Sequence, residues 1–451
     1  MNRQNFLPLL TLSFFTLSLF TMVVYFYSPV FLSLKIATLC ILLVFTASVV
    51  YNFFILRIPL LSHPQVYLAV TFLFTSGCLF IFLFGSEVAF DKFKWFSEEF
   101  LIKSVEIVII AILSFQFGLH LSLYKTNKSK DTHQEKSIHA TPVFSIAFML
   151  ILLSFFVFVL IYPSFLFRTF QYGYMDYVFY QQENDVRIPT TLLNWLLPLC
   201  SMMLALSART ALQRKTAYFV GFTLCFIFLF TGDRGGCFSF LLSFLLAMRI
   251  KLNSLQVVAL ALSILFVIPL LFEFRQLNEV QVLNPMEKAL QETGSSLQVL
   301  MGTVMLVPES EEFMYGESYV SAIETVIPNL GAWKRSDEVT TLSKWIQLHM
   351  NPSGSGLGYL QIAEAYAQFG IAGVYFVFIL FGIVIGNWHI AMSDAHSHMY
   401  LSIWRSYSFY ILLIWIRNHA MVSVRPIIWS YLLLMFIKLF IDLFWKRKTK
   451  L

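Results

Sequence analysis

Residues 359–387 read YLQIAEAYAQFGIAGVYFVFILFGIVIGN, and Glu364 is the single charged side chain in this run. A helix needs about 20 mainly apolar residues to cross the hydrocarbon core of a bilayer. The run therefore predicts a transmembrane helix, and similar apolar runs fill most of the chain on both sides of it.

The composition agrees with a membrane protein. Of the 451 residues, 58% are hydrophobic and 12% are charged, whereas soluble domains carry about 25% charged residues. A water-soluble fold is excluded, and we expect an all-α, polytopic membrane bundle of about 12 helices. The predicted spans lie near 6–27, 36–56, 66–85, 101–123, 141–163, 191–208, 217–231, 237–250, 255–273, 359–387, 400–416 and 426–444.

The basic residues of the short loops predict the orientation. Loops on the cytoplasmic side are enriched in Lys and Arg. With the N-terminus inside, the loop around 125–136, the loop at 209–215 and the C-terminal tail are all basic, whereas residues 86–100 carry four acids. Both termini are therefore expected in the cytoplasm and the longest polar loop outside, which in a bacterium is the periplasm.

This orientation divides the chain into three segments. Residues 1–274 hold about nine spans, 275–358 form the outer loop and 359–451 hold about three spans. The loop is expected to form short helices over the outer mouth of the bundle. One helix is predicted to start at Pro285, because proline favours the first helical position, and another runs from Ser336 towards His349.

Cations on the outer side are exceptions to the positive-inside rule. Arginine offers a planar fork that binds phosphate through two hydrogen bonds, so a cluster at the headgroup level predicts a phosphate or pyrophosphate site. Alternatively, each side chain reaches ordinary headgroups or pairs with an acid, as Asp233 could pair with Arg234 in TGDRGG. The candidate residues are Arg168, Arg187, Arg234, Arg275, Lys334, Arg335, Arg417 and Arg425.

Two residues are candidates for proton transfer. On a helix, Glu364 shares a face with Gln361 and Gln368, and a carboxylate beside a hydrocarbon span is a functional candidate by default. The residue is interpreted either as a general base or as a structural partner of an outer arginine. His349 is the rival base, or a surface histidine near a helix end. These alternatives stay open.

Several stretches resemble a known family. TGDRGG (231–236), YGESYVSAIETVIPNLGAWKR (315–335) and SGLGYLQIAEAYAQFGIAG (355–373) are similar to parts of bacterial Wzy-type polymerases of O-antigen and oligosaccharide repeat units. The topology agrees over essentially the whole chain. The resemblance implies a glycosyltransferase C-like fold. O-antigen ligases place a histidine shortly before a glycine-containing span, but GYLQIAEAY (358–366) contains none.

The resemblance also implies an activity. The growing glycan would pass from undecaprenyl pyrophosphate to the terminal sugar of a new lipid-linked repeat unit, on the periplasmic side of the bacterial inner membrane. The outer arginines would neutralise the pyrophosphate leaving group without a metal, and Glu364 or His349 would accept the proton. No cofactor and no nucleic acid is expected. Membrane lipids, lipid-linked oligosaccharides and a chain-length regulator protein are the candidate partners.

Two other functions remain open from the sequence. An O-antigen ligase would share the chemistry and differ in its acceptor. A flippase for lipid-linked oligosaccharides belongs to the class of transporters, which place polar residues deep in several spans and have short loops on both faces. The long outer loop and the charges at the outer edge favour an enzyme over a transporter.

Overall fold

The structure is a computed structural model. It describes residues 34–83, 96–125, 139–161, 192–230, 233–250, 252–273, 285–327, 341–350, 358–393 and 398–444. These residues form α-helices, a short π-helix at Leu192–Leu196 and the connections between them, without a β-strand among them. The helices are α1 Leu34–Phe54, α2 His63–Leu83, α3 Glu98–Lys125, α4 Ala140–Ile161, α5 Leu197–Ser207, α6 Ala211–Phe230, α7 Arg234–Ala247, α8 Ser254–Glu273, α9 Pro285–Gly294, α10 Leu297–Leu306, α11 Glu317–Glu324, α12 Leu342–Met350, α13 Gln361–Ser393, α14 Met399–Trp415 and α15 Ala420–Phe444.

Six of these helices are long and apolar enough to cross a membrane. They are α1, α2, α3, α4, α13 and α15. Helices also cover the other spans predicted from residue 191 onwards, but some are short: α7 has 14 residues, or about 21 Å at 1.5 Å per residue. The first predicted span lies outside the described residues. A polytopic, all-helical protein is thus supported, while twelve spans and a glycosyltransferase C-like arrangement stay predictions.

The first compact unit comprises Met1–Asp131, Gln281–Ser393 and Trp415–Arg425. Its centre is the packing of α3 along α13. A Cβ on Gly118 would overlap the carbonyl oxygen of Ile379, and one on Gly382 would overlap that of Phe115. Small residues let the backbones of membrane helices approach closely, so these two glycines set the distance between α3 and α13.

The predicted outer loop, residues 275–358, contributes to this unit. Helix α9 starts at Pro285 as predicted and packs on α2, while α10 packs on α3 and α13. Most of α10 is buried, including Leu297 and Leu300 at 0% exposure. Helix α10 is therefore a core element, not a surface cover. The region of Ser336, where a helix start was predicted, lies outside the described residues, but α12 does run to His349 and Met350.

The second compact unit comprises Thr132–Val280, Asp394–Ile414 and Pro426–Leu451. Its core draws on α4 to α7, α14 and α15, with Met203, Phe240 and Tyr410 at its centre. The stretch TGDRGG follows α6 and includes the start of α7, and these two helices pack against each other. The Asp233 carboxylate accepts a hydrogen bond from the Gly236 N–H at 2.8 Å, so it caps the N-terminus of α7.

Candidate functional site

Glu364 lies in the first turn of α13 and is completely buried, with 0% exposure. Its Oε1 accepts hydrogen bonds from the Ser318 hydroxyl at 2.8 Å and the Ala420 N–H at 3.1 Å. Its Oε2 accepts from the Trp415 indole at 2.9 Å and from the same Ala420 N–H at 3.0 Å. The carboxylate therefore joins α13 to α11, to the end of α14 and to the start of α15.

The connection between α14 and α15 is held on both sides of its turn. Ala420 is the first residue of α15, and a helix leaves its first N–H groups without partners inside the helix. A carboxylate there is also favoured by the helix dipole. The Gln361 N–H, at the start of α13, donates to the Ile416 carbonyl at 3.1 Å. We call residues 415–420, held by Gln361 and Glu364, the clasp.

At a kink in α13, the predicted outer loop forms hydrogen bonds to the same end of the helix. Phe369 and Gly370 depart from helical geometry, with Gly370 at φ 62°, a region that glycine adopts without steric cost. The carbonyl groups of Ala367 and Gln368 accept the N–H groups of Met314 and Tyr315, each at 3.0 Å. The turn before α11 thereby provides donors for carbonyls that a straight helix would satisfy internally.

Further polar side chains pack around the first turns of α13. The Tyr67 hydroxyl donates to Gln361 Oε1 at 2.6 Å, and the Gly316 N–H donates to Gln368 Oε1 at 2.9 Å. All three side chains singled out on this face, those of Gln361, Glu364 and Gln368, are buried. Each one bonds to a different part of the chain, so this face of α13 is a polar contact surface inside the first unit.

Two ionisable groups outside the spans respond to this environment. The pKa of Tyr319 lies well above its ordinary value of 10. Burial disfavours the phenolate, and the nearby Glu364 and Tyr359 disfavour it further by charge repulsion. Burial lowers the pKa of His419, in the clasp, to about 4. His419 is 4% exposed, and its Nδ1 has no hydrogen-bond partner among the described residues.

His349 differs from Glu364 in being exposed. It lies at the end of α12, where its Nδ1 is 2.9 Å from the Trp345 carbonyl oxygen. Its Nε2 is 3.2 Å from Oε1 of Glu311, in the turn that follows α10. Both ring nitrogens therefore face acceptor oxygens. The structure pairs His349 with a carboxylate that the sequence reasoning did not connect to it.

The family model of the O-antigen polysaccharide polymerase Wzy matches residues 9–448, nearly the whole chain. The chain belongs to the Wzy family. The resemblance seen in the sequence is thus confirmed. No curated protein and no solved structure matches the chain.

The Wzy family gives the chain a broad role as an O-antigen polymerase. Three of the cations predicted to bind phosphate lie in the described part of the chain. Arg417 lies exposed in the clasp, with its guanidinium carbon 5.8 Å from the centroid of the Phe74 ring. Arg425 is half-buried within α15, which starts at Ala420 and not near 426. Arg234 is the first residue of α7, in the second unit. The remaining cations lie outside the described residues: Arg168, Arg187, Arg275, Lys334 and Arg335.

Sequence reasoning missed the donors that hold Glu364 in this Wzy-family protein. Ser318 and Trp415 are 46 and 51 positions away along the chain, and the Ala420 donor is a backbone group without a side-chain signature. A tryptophan at the end of an apolar run is the one signal available, and it is also typical of a residue at the membrane interface.

Proposed function

We propose that this protein is an O-antigen polymerase that transfers the growing glycan from undecaprenyl pyrophosphate to the terminal sugar of a new lipid-linked repeat unit, on the periplasmic side of the inner membrane. The family match over residues 9–448 supports the polymerase role. The observation that carries the proposal for the site is the clasp, which holds an exposed arginine at a connection between helices.

Arg417 is the proposed contact to the pyrophosphate. The Gln361 N–H donates to the carbonyl of residue 416, and the Glu364 carboxylate accepts hydrogen bonds from residues 415 and 420. These bonds on both sides of Arg417 fix its position. The planar fork of a guanidinium offers N–H donors that match the oxygens of a phosphate. Charge neutralisation at the leaving pyrophosphate stabilises the transition state where the negative charge develops.

His349 and Glu311 are the proposed pair for proton transfer. An acceptor hydroxyl must lose its proton as the new glycosidic bond forms, and a histidine within reach of solvent can take it. His349 is exposed, whereas the oxygens of Glu364 are buried and each accepts two hydrogen bonds. We therefore assign Glu364 to positioning and propose His349 as the base. With the ring proton on Nδ1, bonded to the Trp345 carbonyl, Nε2 accepts the proton of a hydroxyl that takes the place of Glu311 Oε1, and the nearby Glu311 carboxylate stabilises the imidazolium that forms.

The first test replaces Arg417 in a strain lacking the chromosomal gene. Arg417→Ala is expected to leave lipid A core with a single repeat unit on a glycan gel, and Arg417→Lys to shorten the ladder, because a point charge does not replace the fork. Arg57→Asn, at an exposed position predicted to be cytoplasmic, is the control and should give the full ladder. A full ladder from Arg417→Ala would remove Arg417 from the site.

The gene deletion itself distinguishes the three functions. Loss of a polymerase leaves lipid A core that carries one repeat unit, loss of a ligase leaves lipid A core without glycan, and loss of a flippase retains lipid-linked units on the cytoplasmic side. The first pattern is expected. Either of the other two would overturn the proposed reaction, whatever the result for Arg417.

The second test addresses the proton transfer. His349→Gln is expected to reduce polymerisation by about 100-fold or more, in the range for loss of a general base, and Glu311→Gln to reduce it less. The measurement is the rate at which polymer forms from purified lipid-linked repeat units. Glu312→Gln is the control, because Glu312 is the exposed neighbour of Glu311. Wild-type rates for His349→Gln would exclude it as the base.

A further inference from the structure

A basic cavity lies in the second unit, and none of its lining residues belongs to the clasp. Its volume is about 340 Å³. It is formed where α5 and α7 end and where α6 and α14 begin. Arg209, Arg214 and Arg249 line it. Nothing in the proposed polymerase reaction uses these three arginines.

In the described part of the chain, no acid pairs with the arginines of this cavity. None of the described residues that line it is acidic. The guanidinium groups of Arg209, Arg214 and Arg249 form no ion pair with an acid in the described part of the chain, and all three side chains are exposed. Three positive charges around one cavity repel each other. The attraction between a bound anion and each arginine would offset this repulsion.

Local structure fixes the backbone that carries the arginines. Gln213 Oε1 accepts the N–H groups of Arg209 and Thr210 at 2.8 and 3.1 Å, and the Gln213 N–H donates to the Thr210 hydroxyl at 3.2 Å. This reciprocal cap holds the entry to α6. Arg249 has a left-handed backbone at φ 52°, and its N–H donates to the Leu246 carbonyl at 3.0 Å.

The rest of the lining is apolar. Leu206, Met248 and Met399 line the cavity together with the ring of Tyr218 and small alanines. A free phosphate ion would not bury this apolar surface, whereas the glycerol and upper acyl carbons of a lipid would cover it. The ligand expected from both halves of the lining is therefore amphiphilic, with a phosphate at its polar end.

We propose that this cavity binds the phosphate-bearing headgroup of an anionic phospholipid. The guanidinium forks would hold the phosphate oxygens, and the N-termini of α6 and α14 add favourable dipoles. The loop at 209–215 is predicted to be cytoplasmic, and basic pockets between helices on that side are suited to anionic headgroups. The site is thus a lipid site of the second unit, separate from the proposed pyrophosphate contact.

The test measures lipid binding by the full-length protein in detergent. Phosphatidylglycerol and phosphatidylcholine are titrated against wild type and against Arg209→Gln/Arg214→Gln/Arg249→Asn, with asparagine chosen at 249 because it tolerates positive φ. The triple variant is expected to lose about 100-fold in affinity for phosphatidylglycerol, since each arginine near an anionic surface contributes about fivefold. Phosphatidylcholine binding should change little.

Lys215→Gln is the matched control, since Lys215 is exposed beside Arg214 but does not line the cavity. It should bind phosphatidylglycerol as wild type does. Equal affinity of wild type and triple variant would overturn the proposal. So would inorganic pyrophosphate displacing the lipid at equal concentration, because the ligand would then be a soluble phosphate. If the triple variant does not fold, Arg214→Gln alone decides: about fivefold weaker binding supports the site, and unchanged binding excludes it.

Discussion

Among the described residues of the candidate site, Glu364 is the one whose side chain accepts the most hydrogen bonds. Its two oxygens face the Ser318 hydroxyl, the Trp415 indole and the Ala420 N–H. The indole and the backbone N–H can only donate, and the hydroxyl donates to the carboxylate as well, so the ionised carboxylate fits this pocket. This geometry underlies the assignment of Glu364 to positioning.

Glu364→Gln tests that assignment through stability. The glutamine NH2 would face the Trp415 indole or the Ala420 N–H, donor against donor, and a lost hydrogen bond to a charged group costs about 1.5–3 kcal/mol. We expect a lower melting temperature in detergent together with reduced polymerisation. Glu317→Gln, at an exposed acid beside Ser318, should melt as wild type. Wild-type melting with complete loss of polymerisation would instead favour Glu364 as the base.

His419 makes the stability of the protein depend on pH. The pKa of His419 in the fold is about 4, against about 6.5 in an unfolded chain. Between these values the unfolded chain binds a proton that the fold excludes, so stability falls as the pH drops from about 6.5 to about 4. His419→Gln should show a smaller fall in melting temperature over this range than wild type. His398→Gln, at an exposed histidine, is the comparison, and equal slopes for wild type and His419→Gln would contradict the prediction.

Glu364 also illustrates what the sequence makes visible. A lone carboxylate in an apolar run is conspicuous because burial of a charge requires partners, so the residue was predictable. Its role was not, because the choice between a base and a structural partner depends on donors that only the fold brings close. The structural alternative considered from the sequence named an arginine as the partner, whereas the described donors are a hydroxyl, an indole and a backbone N–H.

Among the helices, α3 and α13 depend on close approach of their backbones. Gly118→Ala would place a methyl group against the Ile379 carbonyl, and a backbone group cannot move aside as a flexible side chain does. We expect the helices to separate, with a fall in melting temperature and in yield of folded protein; overpacking of this kind costs about 1–3 kcal/mol. In Gly235→Ala the added Cβ would lie 3.7 Å from Asp233 Oδ1, an ordinary contact, so this control should be tolerated.

Helix positions were largely predictable because each apolar run must hide its backbone polar groups in a helix. The start of α15 was harder to predict. The last span was predicted near 426–444, but α15 begins at Ala420 and continues through Pro426, since a membrane helix tolerates proline where neighbouring groups compensate. The kink at Phe369 and Gly370 was also missed, because it depends on Met314 and Tyr315 as alternative donors.

For the whole molecule, contacts divide the chain differently from its sequence order. The first unit combines helices from the start of the chain, the outer loop, α13 and the turn between α14 and α15. Sequence order can suggest three topological segments, and that division stays a prediction. Which segments share a core depends on long-range packing, such as α9 on α2 and α10 on α3, for which no local pattern exists.

The outer loop should therefore be required for folding as well as for activity. Leu300 of α10 is completely buried, while Val320 of α11 is 57% exposed. Leu300→Ala should destabilise the protein by about 2–5 kcal/mol, the range for a large-to-small change in a core, and Val320→Ala by less than about 0.5 kcal/mol. Thermal unfolding in detergent and the yield of monodisperse protein measure both variants. If the loop only covered the bundle, both variants would melt as wild type and differ from it in polymerisation alone. A low yield of Leu300→Ala beside a normal yield of Val320→Ala would instead place the loop within the structural core, because the two changes remove the same kind of side chain from the same loop and differ in burial.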